Sequence, residues 1–321
     1  MTISVVIATY NGEKYIREQL DSVLAQTMEP DEIIVSDDGS KDKTWDILEE
    51  YKSKYPSLFH LYHNTGKHGA HSNFKNAFQY VTCDIVAPCD QDDIWMPEKL
   101  ERSVAALTDE VSLVFCQEKI RHENGKEDIM LHTMPLLYQC IFGEVIPGHL
   151  IVSKREVLDV YKLNTEITFD MGMVLYAAAK HSGVGIDYIG CIWRRHEHVV
   201  TSEYSDHKTF YVEKIGKWKK LHRTLKMLRK GEKSEVIAKR MHSMHTIIEH
   251  FHGGLKEQQL TQYMERQTPM SIIKACYAHM RIVQHQNRFA KASLHTKIGM
   301  SLYAFCYPAM YWCDYHNHDS L

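Results

Sequence analysis

No C-x-x-C pair occurs among the eight cysteines of this 321-residue chain, which lie scattered from Cys83 to Cys313. In a chain this long that pattern reads as reduced intracellular thiols, buried as small hydrophobes, and excludes a disulfide framework. No basic stretch precedes Ile3, so no secretory signal is expected. The longest uncharged run, Ile298–Cys313, has 16 residues and contains Pro308, short of the roughly 20 that a spanning helix needs. The expectation is a cytoplasmic protein. G-x-G-x-x-G and G-x-x-x-x-G-K-[ST] are both missing, so dinucleotide and P-loop chemistry lose their main supports, and a phosphate would have to be held by a metal. There is no internal repeat. A composition of 44% hydrophobic and 25% charged residues excludes long disorder, collagen and mucin-like stalks.

What is present is divided. Residues 1–204 carry 19 Lys and Arg against 32 Asp and Glu, whereas residues 205–321 carry 19 against 9. An acidic body with a basic tail implies different partners for the two parts. Within the body, strands and helices alternate. Ile3–Ala8 and Glu32–Ser36 are β-branched runs of the kind buried on both faces of a sheet. Leu58–His63, Asp84–Ala87 and Ser112–Cys116 read as three further strands, with apolar residues at helical spacing between the successive strands. Repeated βαβ units predict right-handed crossovers and a mainly parallel, Rossmann-like sheet flanked by helices. Ligands then bind at the carboxyl ends of the strands. The polar segments Thr9–Asn11, Asp37–Ser40 and Asp90–Asp93 each follow a strand and should gather on that edge. Farther on, the pattern predicts helices near 154–161 and 170–180 and a strand near 184–193. After about 205 it predicts only basic, Met- and His-rich helices.

Asp90-Gln91-Asp92-Asp93 puts three carboxylates in four residues, which repel one another unless a cation or hydrogen-bond donors offset them. Hard oxygens of this kind suit Mg²⁺ or Mn²⁺ shared with substrate phosphates; a solvated acidic turn before the next helix is the plain alternative. Asp37-Asp38-Gly39-Ser40 can offer a carboxylate to a ribose hydroxyl, or be no more than a capped turn. His242 and His245 share a helix face without a Cys or acidic fourth ligand at metal spacing, so zinc is not expected there.

The segments VVIATYNGEKYIREQLDSVLAQT, SDDGSKDKT, NTGKHGAHSNFKNAF and CDQDDIWMPEKLE together resemble the family 2 glycosyltransferases of the GT-A fold, in particular their rhamnosyltransferase-like branch. The resemblance is dense over residues 1–110, looser to about 200 and absent beyond. It implies that Thr9, Tyr10, Asp38 and Asn64 contact the base and ribose of a nucleotide-diphosphate sugar. It makes Asp90 and Asp92 the D-x-D pair, with Asp92 the direct ligand of Mg²⁺ or Mn²⁺. Ser72 stands where many relatives carry an Arg before the second Asn of their N-x-G segment. Inverting members need a general base on a later helix, and Asp170 fits that helix-start position; helix capping is the alternative, and Glu166 the nearest competitor. Trp193-Arg194-Arg195-His196 resembles the family's R-x-H segment, so His196 would approach the metal and an Arg would offset leaving-group charge. Gly148-His149 resembles the family's glycine loop beside the acceptor.

The implied enzyme is an inverting, metal-dependent glycosyltransferase. It would move a sugar from a nucleotide-diphosphate donor to a hydroxyl of a saccharide or lipid-linked acceptor in bacterial surface polysaccharide synthesis. The alternatives are a non-catalytic binding module on the same fold and a sugar nucleotidylyltransferase. No nucleic-acid partner is expected. The domains expected are a catalytic one over 1–204 (donor half about 1–118, acceptor half about 119–204) and a basic helical region over 205–321. In the latter, Trp218, Leu221, Leu225 and Leu228 form an apolar stripe among Lys214, Lys217, Lys219, Lys220, Arg223, Lys226, Arg229 and Lys230. Such a helix either lies on the inner, anionic face of a membrane or packs, in a homodimer or on the body.

Overall fold

A computed structural model describes residues 1–163, 165–195, 216–231 and 233–284, together with 297, 301, 306–308 and 311; of residues 216–220 and Arg223 only the backbone is described. The chain forms two compact units. The first comprises Met1–Pro135, Val145–Lys162 and Thr168–Ser202; the second comprises Leu136–Glu144, Leu163–Ile167 and Glu203–Leu321.

The first unit is built on one sheet in the order β3-β2-β1-β4-β8-β6-β9-β5, with β7 paired to β6. Strands β1 (Ile3–Thr9), β2 (Glu32–Asp37), β3 (Phe59–His63) and β4 (Ile85–Asp90) are all parallel. Helices α1 (Ile16–Leu24), α2 (Thr44–Lys54) and α3 (Ala70–Phe78) make the connections. Val5, Val6, Ile7, Ile33, Ile34 and Val35 are fully buried, as two-sided coverage of a parallel sheet requires. Beyond β4 the sheet becomes mixed. After β5 (Ile94–Trp95) and α4 (Lys99–Ala105), β6 (Leu113–Arg121) turns back through the hairpin strand β7 (Glu127–Met130). Strand β8 (Ile151–Lys154) is antiparallel to both β4 and β6, whereas β9 (Gly183–Arg194) runs parallel to β6.

Two expectations need correction here. The fourth strand runs on to Asp90 instead of ending at Ala87, because Pro88 and Cys89 are buried against β1. That extension sets the first acid of the D-x-D segment on the sheet itself. The helix expected near 154–161 is β8 followed by a 3₁₀ segment, Arg155–Leu163. Helix α6 (Phe169–Lys180) lies where the sequence places it.

The second unit is helical. Helix α5 (Leu137–Ile141) packs against α9 (Leu255–Arg266), α8 (Glu235–His250) against α9, and α10 (Pro269–Gln284) against α9 and α7 (Gly216–Arg229). Ser234 caps α8 by accepting the Ile237 N–H at 3.2 Å. The Gln267 amide then ties the end of α9 to that cap, bonding Ser234 N at 2.7 Å and Ser234 O at 2.6 Å. On α7, Leu221 and Leu228 are buried while Lys226, Arg229 and Lys230 are exposed. Lys214 lies outside the described residues, as does the side chain of Trp218. Among the described residues no helix is long and apolar enough to cross a membrane.

Candidate active site

The loops after β1, β2 and β4 meet at the carboxyl edge of the parallel strands, and each is held by side chains of another. Asp37 is the centre of the second loop. Its Oδ1 accepts the hydroxyls of Thr9 (2.9 Å) and Ser40 (2.6 Å), and its Oδ2 accepts the N–H groups of Gly39 (3.0 Å) and Ser40 (2.9 Å). Gly39 sits at φ +83°, a conformation that costs glycine little. Thr9 is therefore buried, with its hydroxyl turned inward. It shapes the edge rather than presenting a free oxygen to a ligand.

Asp38, 6% exposed, accepts Asn64 Nδ2 at 2.7 Å and Gly69 N at 2.7 Å, and faces His68 Nδ1 at 3.0 Å. Asp38 and Asn64, both expected to meet the nucleotide, are thus brought together by the β3–α3 loop. Asn73, the second Asn of that segment, clamps two strand ends by donating to Thr9 O (3.1 Å) and Ser36 O (2.8 Å). Tyr10 is 55% exposed at the mouth of the edge. Its backbone is clasped by the Gln91 amide, which accepts from Tyr10 N at 2.9 Å and donates to Tyr10 O at 3.0 Å. A Cβ on Gly12 would come within 2.3 Å of Gln91 Oε1, so glycine there lets the first loop and the D-x-D loop interlock.

Within the D-x-D segment, Asp90 and Asp92 are part-exposed and Asp93 is fully buried. Arg194 fixes the backbone beneath them. Its Nε donates to Asp92 O at 2.5 Å, its Nη2 to Asp93 O at 3.1 Å, and its Nη1 to the Glu18 carboxylate. The guanidinium also lies 4.7 Å from the Tyr15 ring. Arg194 is therefore committed to the loop's own carbonyls, and Arg195, the other arginine of the segment expected to offset leaving-group charge, lies over Trp193. His196 lies outside the described residues.

The side chain of His149, in the loop expected beside the acceptor, is buried, 4% exposed. Its Nε2 faces Glu118 Oε2 at 2.9 Å; its Nδ1 faces Asp90 Oδ2 at 3.2 Å and Asp93 Oδ2 at 3.7 Å. Burial alone would neutralise the ring, but Asp93, Asp90 and Glu118 outweigh it and hold its pKa well above the ordinary histidine value. Burial likewise acts to raise the Glu118 pKa, yet its bonds to His132 (2.8 Å) and His149 bring it down to about 2. Asp93 is pushed up to about 7 by burial, against the pull of His149. Lys99, also fully buried, donates to His149 O at 2.5 Å and lies 3.5 Å from the Trp95 ring centroid. Ligand atoms of Asp93, His149 and Cys191 lie within 4.8 Å of one another. Burial holds the Cys191 thiol well above its usual pKa, and the Nδ1 of His149 lies nearer to Asp90. The trio is accordingly a buried ion pair beside a thiol. For a divalent ion, the hard and part-exposed oxygens of Asp90 and Asp92 are the better donor set.

Asp170 begins α6, and its Oδ1 accepts the Met171 N–H at 2.8 Å. Its position is set by Phe169, which packs on Phe74 with ring centroids 4.1 Å apart and whose carbonyl accepts Tyr161 OH at 2.6 Å. Gly148 admits that ring, since a Cβ there would come within 2.2 Å of Phe169 Cζ. His71, on the first turn of α3, packs beside Phe169 at 5.9 Å. Desolvation lowers its pKa, Asp170 and Asp90 act to raise it, and Lys75 to lower it. Asp170 and the D-x-D segment are thus both within electrostatic reach of one imidazole. The backbone of Glu166, the competing base, donates to Ser243 Oγ at 3.2 Å in the helical unit.

Sequence reasoning missed Asp37, Gln91, Glu118, His149 and Arg194 as the residues that build this edge. Asp37, Gln91, His149 and Arg194 stood inside motifs, but that they build this edge together, and that Glu118 joins them, is set by tertiary structure alone.

Comparison with known proteins agrees with this geometry. The glycosyl transferase family 2 model matches residues 4–172. An uncharacterized protein of Mycobacterium tuberculosis is 29% identical over 219 residues, 65% of this chain and 63% of that protein. The dTDP-rhamnosyl transferase RfbG of Shigella flexneri is 31% identical over 162 residues, 49% of this chain and 56% of that protein. The chain therefore spans less than two thirds of the length of these curated relatives. Among solved structures, S. aureus TarS 1–349 in complex with UDP-GlcNAc superposes with a TM-score of 0.57 at 17% identity, covering 99% of this chain and 89% of that one. At that identity the likeness shows the fold, which is GT-A. With more than half its length matched and the family's three strand-end motifs gathered on one edge, the chain belongs to glycosyl transferase family 2.

Proposed function

We propose that the protein transfers a sugar, with inversion, from a nucleotide-diphosphate donor to a hydroxyl of a saccharide or lipid-linked acceptor in surface polysaccharide synthesis. The observation that supports this reading is the gathering of the three strand-end segments on one edge, with Asp38 and Asn64 hydrogen-bonded to each other and the D-x-D loop clasped to Tyr10. Direct displacement needs a base on one side of the anomeric carbon and a stabilised diphosphate on the other, and Asp170 and Asp90 are the carboxylates proposed for the two sides. Tyr10, the Asp38–Asn64 pair and Asp90 would receive the nucleotide. Asp170 would accept the proton of the attacking hydroxyl, as a general base must from hydrogen-bond distance.

A divalent ion, Mg²⁺ or Mn²⁺, would be held by Asp92 with Asp90 alongside, and His196 is the further ligand proposed. When bound it would neutralise the charge developing on the departing nucleoside diphosphate. Residues 1–204 form the proposed catalytic domain. For residues 205–321 we favour association between helices over a membrane surface, because Leu221 and Leu228 are already buried within the helical unit.

The test is a panel of nucleotide sugars incubated with Mn²⁺, with and without chelator. The dTDP-rhamnose donor heads the panel because the Shigella flexneri relative carries that name. Metal-dependent release of one nucleoside diphosphate, accelerated by a saccharide acceptor, is the expected result. Full transfer after chelation would overturn the metal's role, and no turnover of any donor would return the chain to a binding module.

A further inference from the structure

Beneath the D-x-D segment lies a line of polar groups whose inner members, His132, Glu118 and His149, the proposed reaction does not use. It runs from His132 Nε2 to Glu118 Oε1 (2.8 Å), from Glu118 Oε2 to His149 Nε2 (2.9 Å), and from His149 Nδ1 to Asp90 Oδ2 (3.2 Å). His149 has no freedom within it, because both ring nitrogens face carboxylates and its carbonyl is held by Lys99. Asp90 is the end of the line that meets solvent, with a side chain 39% exposed. Its Oδ1 takes no hydrogen bond among the described residues.

Well-packed apolar residues of similar volume would be as stable as such a buried ionic cluster, or more so. Stability alone therefore does not explain why these positions are ionic. We propose that His149 is a positioning residue for the D-x-D segment. Anchored on Glu118, it fixes the direction in which Asp90 would present its free oxygen to the divalent ion held beside Asp92. The proposal rests on the glycosyltransferase reading above, and it gives a role to a residue to which the resemblance assigned none.

The two ring nitrogens can be separated by substitution. In His149→Gln the amide stands near the place of Nε2, so the link to Glu118 survives and the contact with Asp90 is lost. In His149→Asn the amide stands near Nδ1, so the Asp90 contact survives and Glu118 loses a partner. The measurements, on the full chain, are thermal unfolding and Mn²⁺ affinity by electron paramagnetic resonance, with Mn²⁺ alone and with saturating dTDP, UDP or GDP. Loss of an outer contact to a metal-binding carboxylate weakens affinity about 10- to 100-fold.

We expect opposite rankings. His149→Gln should unfold near the wild-type temperature yet bind Mn²⁺ about 10- to 100-fold more weakly, with a donor KM that recovers at high Mn²⁺ and a kcat that changes little. His149→Asn should be the less stable of the two and keep the higher affinity. Unchanged affinity in His149→Gln, or losses that follow stability in both variants, would overturn the proposal. Should His149→Gln not fold, folded His149→Asn decides alone, by keeping or losing the affinity. Wild-type protein that binds no Mn²⁺ with any of the nucleotides would instead overturn the metal-dependent reading itself, and this proposal with it.

Discussion

At the scale of single residues, the site depends on carboxylates that differ in what surrounds them. Asp37 is enclosed by four donors and builds a turn, whereas Asp170 keeps one local bond and stands at a helix start. Replacing Asp170 by Asn preserves size and capping but removes the proton acceptor. Transfer should fall by at least about 10²- to 10⁴-fold while donor binding measured by calorimetry stays near wild type. Near-normal turnover would move the base elsewhere, with Glu166 next in line. Gly148 makes a sharper case, because the Phe169 ring that a methyl would strike is itself held by Phe74 and Phe78. Gly148→Ala should cost about 1–3 kcal/mol through overpacking, read as a lowered melting temperature. It should also reduce turnover more than that loss of folded protein explains, since Asp170 follows Phe169 directly.

At the scale of elements, the parallel half of the sheet was legible and the mixed half was not. Ile3–Thr9 and Glu32–Asp37 are apolar on both faces, a pattern that admits few other readings. Strand β8 is only four residues, and its two antiparallel partners, β4 and β6, are remote in sequence, so no local pattern announces it. The same distance hid the floor of the site. His149 meets Asp90 and Glu118 only after β8 has been inserted between their strands, and the chain irregularity next to Glu118 in β6 is visible only in the pairing register. On α7 the apolar stripe was legible but its occupant was not. Because Leu228 is 5% exposed, Leu228→Ala should destabilise the helical unit by about 2–5 kcal/mol, measured by limited proteolysis of that region. If the stripe served a membrane instead, the same variant would leave proteolysis unchanged and weaken binding to vesicles of anionic lipid.

At the scale of the whole molecule, buried carboxylates make stability depend on acid. Glu118 titrates near 2 in the folded protein against an ordinary 4.5. Its folded pKa is depressed, so its contribution of about 3 kcal/mol is present above roughly pH 4.5 and is lost as pH falls from there toward 2. Glu32 acts in the same direction: burial raises its pKa, but bonds from Ser4, Thr82 and Cys83 outweigh that and lower it. Melting temperatures of wild type and Glu118→Gln should therefore differ most at neutral pH and converge as pH falls from about 4.5 toward 2. A difference that is constant over that range would mean that Glu118 is not ionised in the folded protein.

The interleaving of the two units has a consequence for synthesis. The helical unit takes residues 136–144 and 163–167 from the middle of the chain, and α5 packs on α9, whose residues are 255–266. On the ribosome, the sheet unit has all its residues once the chain has reached 202, but α5 still lacks its partner. At 5–20 residues per second, α5 leaves the tunnel on the order of ten seconds before α9 does. Through that interval the side chains of Leu137, Cys140 and Ile141, buried in the finished protein, lack the helix that packs on them. A truncation at residue 204 would make that interval permanent.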